Sequence, residues 1–232
     1  VAGPSLGGFG VAAALKSPRL ALFAGSQLIA ANEGWESNAD VESIRDAVRA
    51  AGAFPLLSGS ADCALLVKLV PGNYTAQVTS TDDSAGVAML EVYDLEAPRL
   101  SRLKNLSARG HIQPGEGTLI SGFVIDGGVK KSVLLRAAGP ALSLFGLQGV
   151  LARPQLSLFK DGNLVAIANE WGAAANAADL QAAAATVNAF AFETGSADAA
   201  LLRHLDPGAY TLQLTSVDGG NGIALVEVYE MP

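Results

Sequence analysis

The sequence predicts a mainly β protein built from two tandem antiparallel β-sandwich domains, each with one inserted α-helix. Three observations carry this expectation. Short apolar and β-branched runs are separated by Gly, Pro, Asn and Asp turn signals, the spacing of antiparallel sheets rather than of strand–helix–strand units. One segment per copy has helical periodicity. Most tellingly, the chain repeats itself: Gly3-Pro4 returns as Gly139-Pro140, Phe9-Gly10 as Phe145-Gly146, and the run from Pro18 to Phe23 as that from Pro154 to Phe159, all displaced by 136 residues. Gly59-Ser60-Ala61-Asp62 answers to Gly195-Ser196-Ala197-Asp198, Pro71-Gly72 to Pro207-Gly208, and Glu91-Val92-Tyr93 to Glu227-Val228-Tyr229. A period of this length is a whole domain, not a solenoid coil.

In chain order, residues 19–23, 28–31, 64–69, 74–80 and 87–93 read as strands in the first copy, with equivalents in the second. The run from Tyr74 to Thr79 alternates apolar and polar residues. Residues 87–93 and 223–229 are apolar on both faces and should be central in a sheet. The helix follows Ser37 or Asn38 as cap, places Val41, Ile44 and Val48 on one face, and stops at Gly52. Its alanine-richer counterpart runs from Asn176 through Leu180 to Val187. Each helix should cover an open end or face of its sandwich.

The repeat is uneven. Two full units would exceed the 232 residues by 40, and the segment 100–136 occurs once although everything after it occurs twice. The first domain, residues 1–95, therefore lacks its N-terminal strands, whereas the second, 99–232, is complete. Within the single segment, residues 117–125 and 132–136 read as strands around the turn Asp126-Gly127-Gly128, which predicts a hairpin. An unfilled sheet position leaves exposed backbone donors and apolar surface. Three explanations compete: a fragment of a longer tandem array, a domain that tolerates the loss, or a domain completed by strands from another molecule.

Composition narrows the function. With 15 Lys and Arg against 22 Asp and Glu, the net charge is −7, which argues against nucleic acid as a partner. Half the residues are hydrophobic and 16% are charged, ample material for cores. No apolar run reaches the roughly 18 residues that cross a bilayer, so membrane insertion is not expected. One cysteine, Cys63, and two histidines exclude a disulfide scaffold and a four-ligand zinc site.

The motifs Arg136-Ala137-Ala138-Gly139-Pro140, Leu156-Ser157-Leu158-Phe159, Asn169-Glu170-Trp171, Gly195-Ser196-Ala197-Asp198 and Val226-Glu227-Val228-Tyr229 carry a resemblance. They look like the tandem modules of large secreted or surface proteins of environmental bacteria, which open with a stretch like 102–110 and close on Val-Glu-Val-Tyr. More loosely, the Leu-x-Leu-Phe strand, Gly-Asn turn and Pro-Gly-x-Tyr-Thr strand are similar to bacterial pre-peptidase C-terminal domains. That likeness implies jelly-roll-like sandwiches, an extracellular or cell-surface location, and calcium in some members.

A function shared by both copies must rest on residues present in both. His204 faces Lys68, His111 lies in the single segment, and Cys63 becomes Ala199, so no catalytic set is repeated and no catalytic residue is assigned. Asp62 and Asp198 most simply make Asx-type turn bonds, with calcium ligation by them or by Asp82 and Asp83 as the competing reading. Trp35 and Trp171 suit lids on a sandwich core better than sugar-stacking platforms. Glu91 and Glu227 sit in strands apolar on both faces, where a lone carboxylate needs a partner. Arg136 suits Glu227. For Glu91 the matching arginine would fall just before Val1, so a subunit contact around Val1 and Glu91, with the arginine supplied by another copy, is expected.

These readings converge on a non-enzymatic extracellular structural or adhesive repeat protein with no cofactor. Other copies of itself, or surface glycans, are the expected partners, and a filament assembled by strand complementation is one form of it. The alternative is a carbohydrate-binding or calcium-stabilised accessory module of a larger secreted enzyme.

Overall fold

The computed structural model describes residues 1–95, 102–114 and 117–232. It divides into two compact units, Val1–Arg102 and Leu103–Pro232. The architecture is mainly β, with antiparallel sheets as the sequence predicts.

In the first unit β1 (Pro18–Ala24) lies between β2 (Gln27–Asn32) and β3 (Thr75–Ser80). Leu20 and Ala21 of β1 are buried, whereas β3 alternates exposed and half-buried residues, the signature of a sheet covered on one face. Helix α1 (Val41–Ala51) starts at Asp40, whose Oδ1 accepts from Ser43 N at 3.0 Å, and ends at Gly52 in the left-handed conformation at φ 63°. Neither Ser37 nor Asn38 is the cap. Ser37 closes a 3-10 turn (Trp35–Ser37), and Asn38 Nδ2 is committed to the carbonyls of Trp35 and Ala64.

The second unit is a complete sandwich of two four-stranded sheets. Its strands are β4 (Asn105–Ile112), β5 (Leu119–Ile125), β6 (Lys131–Ala138), β7 (Pro154–Lys160), β8 (Asn163–Ala168), β9 (Ala199–Leu205), β10 (Gly208–Ser216) and β11 (Gly222–Glu230), with α2 (Ala177–Thr186) between β8 and β9. One sheet has the order β5-β10-β7-β8, the other β4-β11-β6-β9. Strand β11 is central, as its two apolar faces predict.

The expected hairpin does not form. Strand β5 pairs with β10, while β6 pairs with β11 on one side and β9 on the other, so the Asp126-Gly127-Gly128 turn crosses between the sheets. Strand β6 is covered on one face by the opposite sheet and on the other by α2 and Trp171, and its two edges are taken by β11 and β9, which leaves no edge for β5. Val133, Leu135 and Ala137 face the core between the sheets, against Leu156, Leu158 and Leu212. Leu134 and Ala138 point the other way; Leu134 is covered by Leu180 and Ala183 of α2 and by Trp171.

Among the described residues 1–95, only Val1 and Ala2 answer to any part of β4, β5 or β6, and the consequence is local. Residues 64–69 and 87–93, both expected as strands, form none. Their equivalents β9 and β11 are held apart and paired by β6, and strand propensity without a bonding partner does not make a strand. All three extended clusters of buried hydrophobic residues found among the described residues lie in the second unit.

Candidate functional site: the open strand position of the first unit

Both units fasten the chain after the β6 position in the same way. Asp62 Oδ1 accepts from Gly3 N at 2.8 Å and Ser5 N at 3.3 Å; Asp198 Oδ1 accepts from Gly139 N and Ala141 N at the same distances. These aspartates reach across 57–59 residues, so they are long-range clamps and not the local Asx turns expected. The glycines are required: a Cβ on Gly3 would stand 2.3 Å from Leu15 O, and one on Gly139 2.1 Å from Leu151 O. Burial opposes ionisation of Asp62, but bonds from Ser5, Ser60 and Gly3 outweigh it and hold the carboxyl below its ordinary value. In the second unit Ala141 replaces Ser5, and Ser196 Oγ turns to Trp171 Nε1, which leaves Asp198 Oδ2 buried without a hydrogen bond.

The second unit shows what fills the position. Arg136, 1% exposed, stands opposite Glu227, 4% exposed, with Nε 3.4 Å from Oε2. The guanidinium lies over the rings of Phe190 and Phe192, 4.4 and 4.0 Å from their centroids. Burial pushes the Glu227 carboxyl up, against the opposing pull of Arg136 and of the Tyr229 hydroxyl that donates to it at 2.6 Å. Burial also lowers the Arg136 pKa, with Glu227 opposing. The pair anticipated between Arg136 and Glu227 is thus together in one sheet, on the face under α2.

In the first unit the same position holds Val1 and Ala2. Val1 N donates to Cys63 O at 2.7 Å and Val1 O accepts from Cys63 N at 3.0 Å; Ala2 and Met89 exchange bonds of 2.9 and 2.8 Å. These are the pairings of Ala137 with Ala199 and of Ala138 with Leu225. Val1 and Ala2 therefore occupy the last two residues of a β6 strand. The flanking segment also keeps its other fastening, Leu15 N to Val87 O at 2.8 Å, matched by Leu151 N to Ile223 O.

On the far side of Val1 from Ala2, the walls of this strand position are apolar. Leu90 and Val92 are 42% and 49% exposed where Val226 and Val228 are 1% and 8%; Leu69 is 44% exposed where Leu205 is 5%. Glu91 has Tyr93 as Glu227 has Tyr229, with the Tyr93 hydroxyl donating at 3.0 Å, and it also accepts from Phe54 N at 3.3 Å. Among the described residues no arginine lies against it. The next residue of a β6 strand, before Val1, would stand opposite Glu91.

The remaining candidates do not gather. Trp35 and Trp171 are 3% and 8% exposed, donating to Leu57 O and to Glu193 O and Ser196 Oγ, so both indoles are lids with no open face for a sugar. Asp82 accepts from Ser80, Ser84 and Ser17, which holds its carboxyl well below the usual range, and Asp83 sits in a left-handed turn at φ 58°. Among the described residues no three His, Cys, Asp or Glu side chains come together as metal ligands. His204 Nδ1 meets Ser132 Oγ at 2.7 Å on exposed sheet surface, and His111 touches Gln113. Sequence reasoning missed the aspartate clamp on Gly3 and Gly139; the shared Gly-Pro and Ser-Ala-Asp motifs were its signal.

No protein-family profile matches the chain, and no curated protein does. Among solved structures, the pre-peptidase C-terminal domain of a collagenase from Bacillus anthracis is loosely similar, at 15% identity and a TM-score of 0.33, over 54% of this chain and 89% of that one. No described helix is long and apolar enough to cross a membrane.

Proposed function

We propose that this chain is a non-enzymatic structural or adhesive protein of the bacterial cell exterior, with its first unit completed by strand complementation between subunits. One observation supports this above others: within residues 1–232 the segments 64–69 and 87–93 form no strand and expose Leu69, Leu90 and Val92, whereas their equivalents β9 and β11 are joined by β6. The flanks offer unpaired backbone groups and apolar side chains, the two properties that β-strand addition uses. A contact of this kind is head-to-tail, so repetition gives a filament unless it closes.

Electron microscopy of native cell-surface material, combined with mass spectrometry of the intact subunit, tests the reading. Filaments or layers containing this chain, with residues 64–69 and 87–93 protected from hydrogen exchange, are the expected result. Dispersed monomers in which those segments exchange freely would overturn it.

A further inference from the structure

We infer that the second unit holds a binding cleft between α2 and strands β6 and β9, fitted to a small uncharged molecule that presents one carbonyl oxygen to Arg136. This goes beyond the structural role proposed above and does not depend on it. The cleft has a volume of about 180 Å³. Leu134, Arg136 and Ala200, all buried, line its floor, and Trp171 and Phe192 stand at its sides. An apolar cavity of about 150 Å³ takes up benzene, so this one admits a single ring with a short substituent. The space follows from the alanine content of α2. Leu180 and Ala183 pack on the sheet with Leu134, while Ala184 and Ala185 border the cleft where the first copy has Val48 and Arg49.

Arg136 supplies the polar chemistry. Its side chain is 2% exposed, and Nε, Nη1 and Nη2 make no hydrogen bond among the described residues. Glu227 balances its charge at 3.4 Å, and the Phe190 and Phe192 rings lie against the guanidinium, but these contacts leave the N–H groups without a hydrogen-bond acceptor. Buried donors are nearly always paired, so a guanidinium with none paired, bordering a space of ligand size, points to an acceptor that enters from outside. That acceptor is neutral. Glu227 already gives the site one negative charge, and Asp198, whose Oδ2 is also buried without a hydrogen bond, adds a second that acts on Arg136. An anion would meet both carboxylates. A sugar fits no better, because its hydroxyls would face leucine, phenylalanine and alanine side chains.

The rim agrees with an uncharged occupant. Gln181, Ala185 and Ala191 are exposed, so the cleft opens to solvent between α2 and the segment that follows it. In the first copy the counterpart of Gln181 is Arg45, which lies 4.8 Å from the Trp35 ring centroid and pairs with Glu36. With Arg49 it makes that rim cationic, whereas the rim of the second copy carries no charge.

The test titrates the full chain with acetophenone, with ethylbenzene as a similar shape lacking the carbonyl and benzoate as the charged counterpart. Two-dimensional NMR of the Ala184, Ala185 and Ala191 methyls and of the Arg136 Nε–H reports the cleft. Acetophenone should bind at one site with a Kd of about a millimolar. Ethylbenzene and benzoate should each bind about tenfold more weakly, the first for want of a charge-assisted hydrogen bond. Ala184→Val with Ala185→Arg, the residues of the first copy, should weaken acetophenone about tenfold while the urea midpoint of the second unit stays near that of the wild type. In Arg136→Met with Glu227→Leu, the preference for acetophenone over ethylbenzene should disappear. Equal binding of ethylbenzene by the wild type would overturn the role of Arg136, and tighter binding of benzoate would overturn the uncharged ligand. Resonances unmoved by any probe at its solubility limit would mean that the cleft holds water only, which overturns the site.

Discussion

Replacing Arg136 in the second unit should unfold that unit far more readily than removal of a surface ion pair would. The guanidinium and the Glu227 carboxylate are 3.4 Å apart with side chains 2% and 5% exposed. At an effective dielectric near 20, a unit charge pair at that separation is worth about 5 kcal/mol. Arg136→Met leaves Glu227 buried without its cation, for which about 3–5 kcal/mol is the expected loss. The double variant Arg136→Met with Glu227→Leu removes both charges and keeps the apolar contacts to Phe190 and Phe192, so it should recover most of that loss. Urea denaturation followed by Trp171 fluorescence in a Trp35→Phe background isolates the second unit, since each unit holds one tryptophan. A single-variant loss below about 1 kcal/mol, or a double variant no more stable than the single, would refute the claim that the pair is a coupled buried charge.

Other expectations follow from the same geometry. Gly139→Ala should cost the second unit about 1–3 kcal/mol or more, because its Cβ would sit 2.1 Å from Leu151 O; urea midpoints measure it. Asp62 is held below its ordinary pKa, so its contribution to the first unit is present above the unfolded value of 3.8 and is lost as pH falls through the folded value. Trp35 fluorescence in a Trp171→Phe background should therefore show the wild-type stability falling on acidification, with an Asp62→Asn variant less stable at neutral pH and flatter. Hydrogen exchange of the chain alone should be fast over 64–69 and 87–93 and slow over β9 and β11; equal protection would contradict the open position. Millimolar calcium should leave both unfolding transitions in place, since Asp82 is already bonded to Ser80, Ser84 and Ser17, and a rise in midpoint would reverse that expectation.

The parts of this structure that the sequence made legible are those where one copy comments on the other. Displacement by 136 residues exposed the unpaired opening segment, and with it the vacancy. A lone glutamate in an apolar strand pointed to Arg136 because burial makes such a carboxylate costly. Local signals misled where partners decide the outcome. Asp126-Gly127-Gly128 is a sound turn signal, yet the turn crosses between sheets because both edges of β6 are paired with the distant strands β11 and β9, which turn spacing does not encode. Residues 64–69 and 87–93 have strand composition, but a central strand forms only when its neighbour is present. The aspartate clamp escaped notice because its bonds join residues 57–59 apart, a separation that motif spacing does not encode.

The two copies share even an irregularity: β1 and β2 slip register between Leu22 and Phe23, and β7 and β8 slip between Leu158 and Phe159. Because the slip falls at the same place in both copies, a 136-residue insertion or deletion between equivalent positions would rejoin each strand in phase, bulge included.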